Sequence, residues 1–240
     1  HFGSLPNILL GSTFISLTQK SKNNLKKPWP NILIAAGRRT SPIAQAIKRK
    51  SNNKTKLIQI MDPGFPRKSF DLLAIPSHDI SRKGNNILTI LGAPHQVTPE
   101  RLQNAAQEWD NHFSELPRPW VGLLLGGSTR RREFTNDMAV ELGKAISEAM
   151  QNVGGSVLVT TSPRSGSLSN IVIDNLAVPH IVYQFDNNQN NPYMGILGLS
   201  DYLVVTGESV SMCSEACATK APVYIYAPKK LITQKHRLLH

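Results

Sequence analysis

Two segments in the C-terminal half of the chain contain the residue types that bind phosphate groups. The first is Gly126-Gly127-Ser128-Thr129 with Arg130 after it, and the second is Ser209-Val210-Ser211 with Glu215 four residues further on. Glycines let successive backbone N–H groups face an anion, while hydroxyl and guanidinium groups add donors. A carboxylate such as Glu215 suits the hydroxyls of a ribose. The structural alternatives are a tight turn with solvated arginines and ordinary capping by Ser209.

Two other segments place hydroxyl or basic side chains where a strand is followed by a helix. Thr161 opens the run Thr-Ser-Pro-Arg-Ser, for which a simple helix cap is an equally good interpretation. Arg38, Arg39 and Thr40 precede a predicted helix in which Ser41 is the N-cap and Pro42 is the first helical residue. Arginines at the positive end of a helix dipole are unfavourable unless an anion binds there, and a basic exposed loop is the alternative.

Histidine and aspartate follow two predicted strands in the N-terminal half. His78 and Asp79 come after one strand, and His95 comes after the next. Such groups in a cleft can accept a proton from a hydroxyl, although a loop histidine is more often structural. The chain has no P-loop, no dinucleotide fingerprint and no metal-binding motif. We therefore predict no metal and no bound cofactor.

Short apolar runs alternate with helical patterns along nearly the whole chain. The runs Trp120–Leu125, Ser156–Thr161 and Tyr202–Thr206 are continuous rather than alternating, which is typical of parallel strands covered on both faces. In open parallel sheets, ligands bind beyond the carboxyl ends of the strands. The pattern predicts an α/β protein with two Rossmann-like domains, and every candidate segment above lies at a strand end.

A proline-rich segment interrupts this alternation. Pro117 and Pro119 flank Arg118, and they cannot continue a helix and favour an extended linker. We therefore predict an N-terminal domain over residues 1–116 and a C-terminal domain over residues 117–240.

The charge of the chain is concentrated in its first half. The 240 residues contain 27 lysines and arginines against 16 acidic residues, a net charge of +11. Residues 1–116 carry 16 basic and 7 acidic residues, and the remainder 11 and 9. This asymmetry indicates an anionic partner such as a phosphorylated substrate, an acidic membrane or a nucleic acid, with a solvated loop as the alternative for the lysines of residues 20–27. Few aromatic residues accompany the basic clusters, so no nucleic acid is expected.

Cysteine content and hydropathy exclude two further classes. The only cysteines are Cys213 and Cys217, which excludes a disulfide-stapled module. The sequence also has no run of 18 apolar residues of the kind that spans a membrane.

Several of these segments together resemble the mitochondrial fission protein family of Elm type, which has bacterial and plant members. The most specific are AGRRTSP from Ala36 and TGESVSMCSEACATKAPVY from Thr206, and LLLGGSTRRREFT from Leu123 is another of the segments that carry the resemblance. The resemblance extends over almost the whole chain. Members are usually longer at both ends, so we expect the N-terminal domain to be incomplete.

The family in turn resembles glycosyltransferases of the GT-B fold, in which the second domain holds a nucleotide-sugar. This resemblance implies that Gly126, Gly127 and Ser128 face the diphosphate together with Ser209–Ser211, and that Glu215 holds the ribose. To these diphosphate candidates we add Thr129, Arg130 and Thr161 because of their residue types and positions. The resemblance also implies an acceptor side lined by Arg38, Arg39 and His78. We add Thr40 and His95 to that side as candidates, and we take His78 and Asp79 as the candidate catalytic residues. Glu208 would then place a negative charge near the diphosphate.

Two functions from different classes are consistent with these residues. One is a metal-independent glycosyltransferase that moves a sugar from a nucleotide-diphosphate sugar to an anionic or lipid-linked acceptor, with His78 or Asp79 as the base. The alternative is a non-catalytic adaptor of the same fold that docks its basic half on a membrane surface or partner protein. We expect a location in the cytoplasm or on the cytoplasmic face of a membrane, with the outer mitochondrial surface as the alternative.

Overall fold

The computed structural model describes residues 7–64, 67–79, 84–130, 132–185 and 190–239. The chain divides into two compact units, His1–Leu91 and Gly92–His240. Each unit is built on one parallel β-sheet. The predicted α/β class with two Rossmann-like sheets is therefore confirmed.

The first unit has a four-stranded sheet whose strands follow one another in sequence order. The strands are β1 (Ile32–Ala36), β2 (Lys56–Ile60), β3 (Leu72–Pro76) and β4 (Ile87–Ile90). Helices α1 (Asn7–Leu10) and α2 (Gln19–Asn24) precede the sheet, and α3 (Ser41–Lys50) connects β1 to β2.

Helix α3 covers one face of this sheet, where Leu57, Leu73 and Ile75 are buried. The opposite face carries Ile32 and Ile34, which are 59% and 62% exposed, and Leu88, which is 51% exposed. The connections from β2 to β3 and from β3 to β4 contain no α-helix among their described residues that would cover this side. We call Ile32, Ile34 and Leu88 the exposed apolar face.

The start of α3 differs in detail from the sequence prediction. Ser41 is the first residue of the helix and follows a 3₁₀ turn over Arg38–Thr40, so it does not act as an N-cap. The Thr40 hydroxyl donates to the carbonyls of Ala36 and Gly37. This side chain therefore closes the turn that leads into the helix.

The second unit has five parallel strands in the order β7-β6-β5-β8-β9. They are β5 (Trp120–Leu125), β6 (Ser156–Thr161), β7 (His180–Tyr183), β8 (Tyr202–Thr206) and β9 (Val223–Tyr226). The chain builds outward from β5 through β6 to β7 and then returns to the other side of β5. All six residues of β5 are buried, so this strand is the centre of the sheet and the point where the strand order reverses.

Helices cover both faces of the second sheet. They are α4 (Pro99–Phe113), α5 (Asn136–Val153), α6 (Leu168–Asp174), α7 (Tyr193–Leu199), α8 (Val210–Ala216) and α9 (Gln234–Arg237). Helices α5 and α6 pack on the face that carries Leu123, and α4, α7 and α8 pack on the face that carries Leu124. Among the described residues, no helix combines the length and the apolar character needed to cross a bilayer.

The division between the units lies between Leu91 and Gly92 rather than between residues 116 and 117 as predicted. Helix α4 packs on α7 so closely that a Cβ at Gly195 would lie 2.6 Å from Cγ of Trp109. The proline segment is also fixed to the second sheet, because Arg118 donates two hydrogen bonds to Asp201 and lies 3.7 Å above the Trp120 ring. Its prolines exclude a helix there but do not separate two domains.

We expect a fragment of residues 92–240 to fold and unfold cooperatively, and a fragment of residues 117–240 to be far less stable. Removal of α4 empties the space of Trp109 and Phe113, which are 6% and 0% exposed. Truncation of one such side chain alone costs about 3–5 kcal/mol. Urea denaturation followed by circular dichroism measures both fragments. Equal stability of the two would contradict the assignment of α4 to the second unit.

Candidate functional site

Three loops meet at the carboxyl edge of the second sheet. Strand β5 pairs with β6 through Leu125 and Thr161, and with β8 through Leu124 and Val205. The segments after the three strands therefore begin side by side. The structure thus brings the double glycine after β5 next to the serine-containing turn after β8, at the place where the strand order reverses.

The amides of the double glycine are engaged inside the protein. The N–H of Gly126 donates to Oγ1 of Thr206 at 2.7 Å, and the N–H of Gly127 donates to Oε1 of Glu208 at 2.7 Å. This corrects the prediction that these two amides face a diphosphate. The sequence suggested free donors because two consecutive glycines often form an anion nest, but neighbouring side chains occupy this one.

The carbonyl side of the same loop is also occupied. The Ser162 hydroxyl donates to the carbonyl of Gly126 at 2.7 Å, and the Ser165 hydroxyl donates to that of Leu125 at 2.8 Å. A Cβ at Gly126 would overlap Glu208, and one at Gly127 would overlap the Arg164 carbonyl. Both glycines are therefore required because the neighbouring loops approach the backbone too closely for any side chain.

Ser128 and Thr129 shape the rest of the loop after β5. Oγ of Ser128 accepts from the N–H of Phe134 at 3.1 Å, and the backbone of Thr129 is bridged to Arg132. Between them, Arg130 is exposed. The hydroxyls therefore hold the turn while the Arg130 guanidinium reaches solvent; Arg131 lies outside the described residues.

The turn after β8 presents the second group of predicted residues. Ser209 is buried and precedes α8, whose first residues are Val210 and the exposed Ser211. Neither serine hydroxyl makes a hydrogen bond to any residue of the described ranges. These two hydroxyls therefore have free hydrogen-bonding capacity.

Glu215 lies one helical turn after Ser211 and is held by Tyr193 of α7. The Tyr193 hydroxyl donates to Oε2 of Glu215 at 2.6 Å. Burial, together with this hydrogen bond to a carboxylate, raises the pKa of the Tyr193 phenol well above its ordinary value. The tyrosine therefore remains a donor and fixes the orientation of the carboxylate. No sequence pattern pointed to Tyr193, because its contact depends on how α7 and α8 pack.

Thr161 lies at the neighbouring strand end. Its Oγ1 accepts from the N–H of Phe185 at 2.8 Å. It borders a small pocket at the carboxyl ends of β6 and β7, whose other lining residues are Thr160, Tyr183, Gln184, Phe185, Asn190, Asn191 and Pro192. The described residues of this lining are polar and amide-rich, so they offer donors and acceptors, and none of them is charged.

Glu208 is placed differently from the sequence prediction, which put its charge beside the diphosphate. The residue is 3% exposed, and Nη2 of Arg164 lies 3.9 Å from its Oε1. Burial raises the pKa of Glu208, and the hydrogen bond from Gly127 and the Arg164 guanidinium offset this only in part. Its side chain therefore points into the protein.

The candidate base residues lie at the carboxyl end of β3 in the first unit. His78 is 7% exposed, and its Nδ1 is buried with no partner in the described ranges. Its Nε2 lies 3.9 Å from Oδ2 of Asp79, beyond hydrogen-bond distance. His78 is therefore buried, and its role as a proton acceptor stays a prediction.

The other predicted acceptor-side residues fall in two places. Arg38 and Arg39 are exposed after β1, while the Thr40 hydroxyl is used within its own turn. His95 is exposed, but it belongs to the second unit. The segment that carries His95 is attached to α8, since the N–H of Ala93 donates to Oγ of Ser214 at 2.8 Å. The assignment of His95 to the N-terminal domain is therefore corrected.

Two other features bear on the choice of site. An apolar cavity of about 310 Å³ lies near the opposite ends of β5, β8 and β9, beside Val121, Tyr202 and Tyr224. No charged residue lines it, so it does not suit an anion. Within the described ranges, no group of three or more His, Cys, Asp or Glu side chains is arranged to hold a metal ion.

Residues 11–240 match the sequence profile of the family described as mitochondrial fission ELM1. The chain belongs to the mitochondrial fission ELM1 family. This confirms the resemblance found in the sequence.

Two relatives show how the family extends. An uncharacterized protein, RP120 of Rickettsia prowazekii (strain Madrid E), is 27% identical over 269 residues, which cover 98% of this chain and 75% of the relative.

The mitochondrial fission protein ELM1 of Arabidopsis thaliana is 29% identical over 228 residues, covering 85% of this chain and 53% of the plant protein. Among solved structures, the UDP-GlcNAc 2-epimerase of Methanocaldococcus jannaschii superposes with a TM-score of 0.55 at 15% identity, over 86% of this chain and 64% of the epimerase. The chain thus spans about half of the plant ELM1 protein and under two thirds of the epimerase. The superposition shows the α/β fold class of GT-B glycosyltransferases and epimerases.

We expect Glu208→Gln to stabilise the protein more at pH 8 than at pH 5. Because burial raises the pKa of Glu208 in the folded state, the folded protein holds this proton more tightly than the unfolded chain does. The stability that the neutral acid contributes is fully present at a pH below the pKa that Glu208 has in the unfolded chain. It is lost as the pH rises through the pKa of Glu208 in the folded protein. Glutamine is neutral throughout and avoids this loss.

Thermal unfolding of both proteins at the two pH values measures the effect. Glu133→Gln, at an exposed position of the loop after β5, is the matched control and should leave the pH dependence unchanged. A difference between Glu208→Gln and wild type that does not vary with pH would contradict the raised pKa.

Proposed function

We propose that the protein is a glycosyltransferase that binds a nucleotide-diphosphate sugar at the carboxyl edge of the second sheet and transfers the sugar to an anionic or lipid-linked acceptor. The observation that carries this proposal is the meeting of the loops after β5, β6 and β8 where the strand order reverses. Open parallel sheets bind their ligands at this position.

Side chains, rather than glycine amides, supply the donors for the diphosphate. Arg130 is exposed after β5, and the Arg164 side chain is 41% exposed after β6. The free hydroxyls of Ser209 and Ser211 lie after β8. Guanidinium groups bind phosphate oxygens through paired, charge-assisted hydrogen bonds. Glu208 does not oppose this binding, because its carboxyl group is turned inward.

Glu215 is the group that we assign to the ribose. Tyr193 occupies only its Oε2, so Oε1 has no partner in the described part of the chain and can accept a hydroxyl hydrogen bond. The M. jannaschii neighbour is, by its name, an enzyme of UDP-GlcNAc, and this supports a nucleotide-sugar as the class of ligand.

Transfer would break the bond between the anomeric carbon and a diphosphate oxygen and form one from that carbon to the acceptor oxygen. The electron pair leaves with the nucleoside diphosphate, which Arg130 and Arg164 would stabilise electrostatically. The acceptor proton goes to a base. For this base the first unit offers Asp79, whose side chain is 26% exposed, and His78, whose side chain is 5% exposed.

We expect the protein to bind UDP or GDP, and the double variant Arg130→Gln/Ser211→Ala to bind it about tenfold or more weakly, because charge-assisted hydrogen bonds contribute about 1.5–3 kcal/mol each. Isothermal titration calorimetry on the whole chain measures this. Lys144→Gln removes an exposed positive charge on α5 and is the matched control. Absence of binding by a folded wild-type protein to every nucleoside diphosphate would contradict the proposal.

A specific observation also favours the second candidate, an adaptor that docks on an anionic membrane. Residues 1–91 contain 15 lysines and arginines against three acidic residues, a net charge of +12. Two of those acids, Asp62 and Asp71, are already paired with Arg67 and Lys48. The exposed apolar face belongs to the same unit, and apolar burial together with basic charge is the combination that binds anionic lipid surfaces.

If the protein is an adaptor, we expect it to sediment with vesicles of phosphatidylserine and phosphatidylcholine in a salt-sensitive manner. We expect no sedimentation with vesicles of phosphatidylcholine alone. Ile34→Glu should weaken that binding, because it adds an anionic group to the exposed apolar face. Val153→Glu, at an exposed apolar position of the second unit, is the control. Vesicle binding without nucleotide affinity would favour the adaptor over the enzyme, and nucleotide affinity without vesicle binding would favour the enzyme.

A further inference from the structure

Glu208 is the only aspartate or glutamate in the described ranges that is buried. It lies in the two-residue turn between β8 and Ser209, and its side chain has no exposed surface. A carboxyl group in such a position costs free energy unless its oxygens are hydrogen-bonded. The groups around it therefore indicate what it does.

The carboxyl group joins two neighbouring loops through one hydrogen-bond network. Gly126 donates to the Thr206 hydroxyl, and that hydroxyl donates to Oε1 of Glu208 at 3.3 Å. Gly127 donates to the same Oε1. Two consecutive amides after β5 are thus held by two side chains from the end of β8, and each hydrogen bond polarises the next.

Arg164, on the loop after β6, also approaches this carboxyl group, with its Nη2 3.9 Å from Oε1. Oε2 has no partner in the described ranges. Burial, and to a smaller extent the charge of Glu208, raises the pKa of the Cys213 thiol on α8 to about 12. The carboxyl group therefore lies between the loop after β5 and the loop after β6, and its side chain has no exposed surface.

The glycine at position 126 and the glutamate at position 208 fit one another. A Cβ on Gly126 would overlap the Glu208 carboxyl group, so the carboxyl group fills the space that the missing side chain leaves. The pair accounts for a glycine whose amide is already paired within the protein and for the burial of an acid at this edge of the sheet.

We propose that Glu208 is a positioning residue for the anion site, which fixes the loop after β5 to the turn after β8 and thereby sets Arg130 relative to Ser209 and Ser211. Its effect on the ligand rests on the proposed function. Its effect on the loop does not, because the hydrogen bonds join two segments of the protein itself.

The test compares Glu208→Ala with Glu208→Gln in the full chain. Alanine removes the acceptor for Gly127, whereas glutamine keeps an oxygen in its place. We expect hydrogen exchange at the Gly127 amide to be about tenfold or more faster in Glu208→Ala than in the wild type, and UDP or GDP affinity to fall about tenfold, as the loss of one such hydrogen bond implies. Glu208→Gln should restore both to near wild-type values.

Two further variants keep the outcome decisive. Glu133→Ala, at an exposed site on the loop after β5, is the control and should change neither reading. If Glu208→Ala does not fold, Thr206→Val removes the hydroxyl link to Gly126 at nearly constant volume, and it should raise exchange at the Gly126 amide.

The positioning role would be overturned if the Gly127 amide exchanged as fast in Glu208→Gln as in Glu208→Ala. It would also be overturned if amide exchange were unchanged in both Glu208→Ala and Thr206→Val. A wild-type protein that binds neither UDP nor GDP would refute the proposed function alone. In that case the exchange measurements still decide whether Glu208 holds the loop.

Discussion

The central position of β5 is the constraint on which the candidate site depends. Its six buried residues pair in parallel with β6 on one side and β8 on the other, and parallel pairing fixes the register so that all three strands end at one edge. Because the strand order reverses at β5, the connections that start at this edge run to opposite sides of the sheet. The loops that carry Arg130, Arg164 and Ser209 fill the crevice between these connections.

Hydrogen-bond satisfaction then decides which groups remain for a ligand. The backbone at the end of a buried strand has to pair its N–H and C=O groups, and Gly126 and Gly127 do so with Thr206, Glu208 and Ser162. The backbone of this loop is consequently used for structure. The anion site that we propose therefore uses side chains at the rim, arginine and serine, rather than the paired backbone.

The strands of the second unit could be predicted closely because each is a continuous apolar run, and the predicted bounds of Trp120–Leu125 and Ser156–Thr161 agree with the structure to the residue. The orientation of the Glu208 side chain could not be predicted in this way. Its hydrogen-bond partners depend on β8 lying beside β5, and hydrophobic periodicity does not determine strand order. The burial of His78 could not be predicted either, because it depends on how the elements around it pack. The predicted domain boundary was wrong because Pro117 and Pro119 indicate where a helix stops, and only packing shows that α4 belongs with the second sheet.

The assignment of α4 to the second unit also changes how the net charge is divided between the two units. Residues 1–91 then carry +12, whereas residues 92–240 carry 12 basic and 13 acidic residues, a net charge of −1. The net positive charge therefore belongs entirely to the unit with the exposed apolar face, and the anion site that we propose on the second unit depends on Arg130 and Arg164. Nucleotide binding and membrane docking would accordingly use different units and different forces. High salt should weaken docking, which sums many exposed charges, more than it weakens a nucleotide site formed by a few groups at close range.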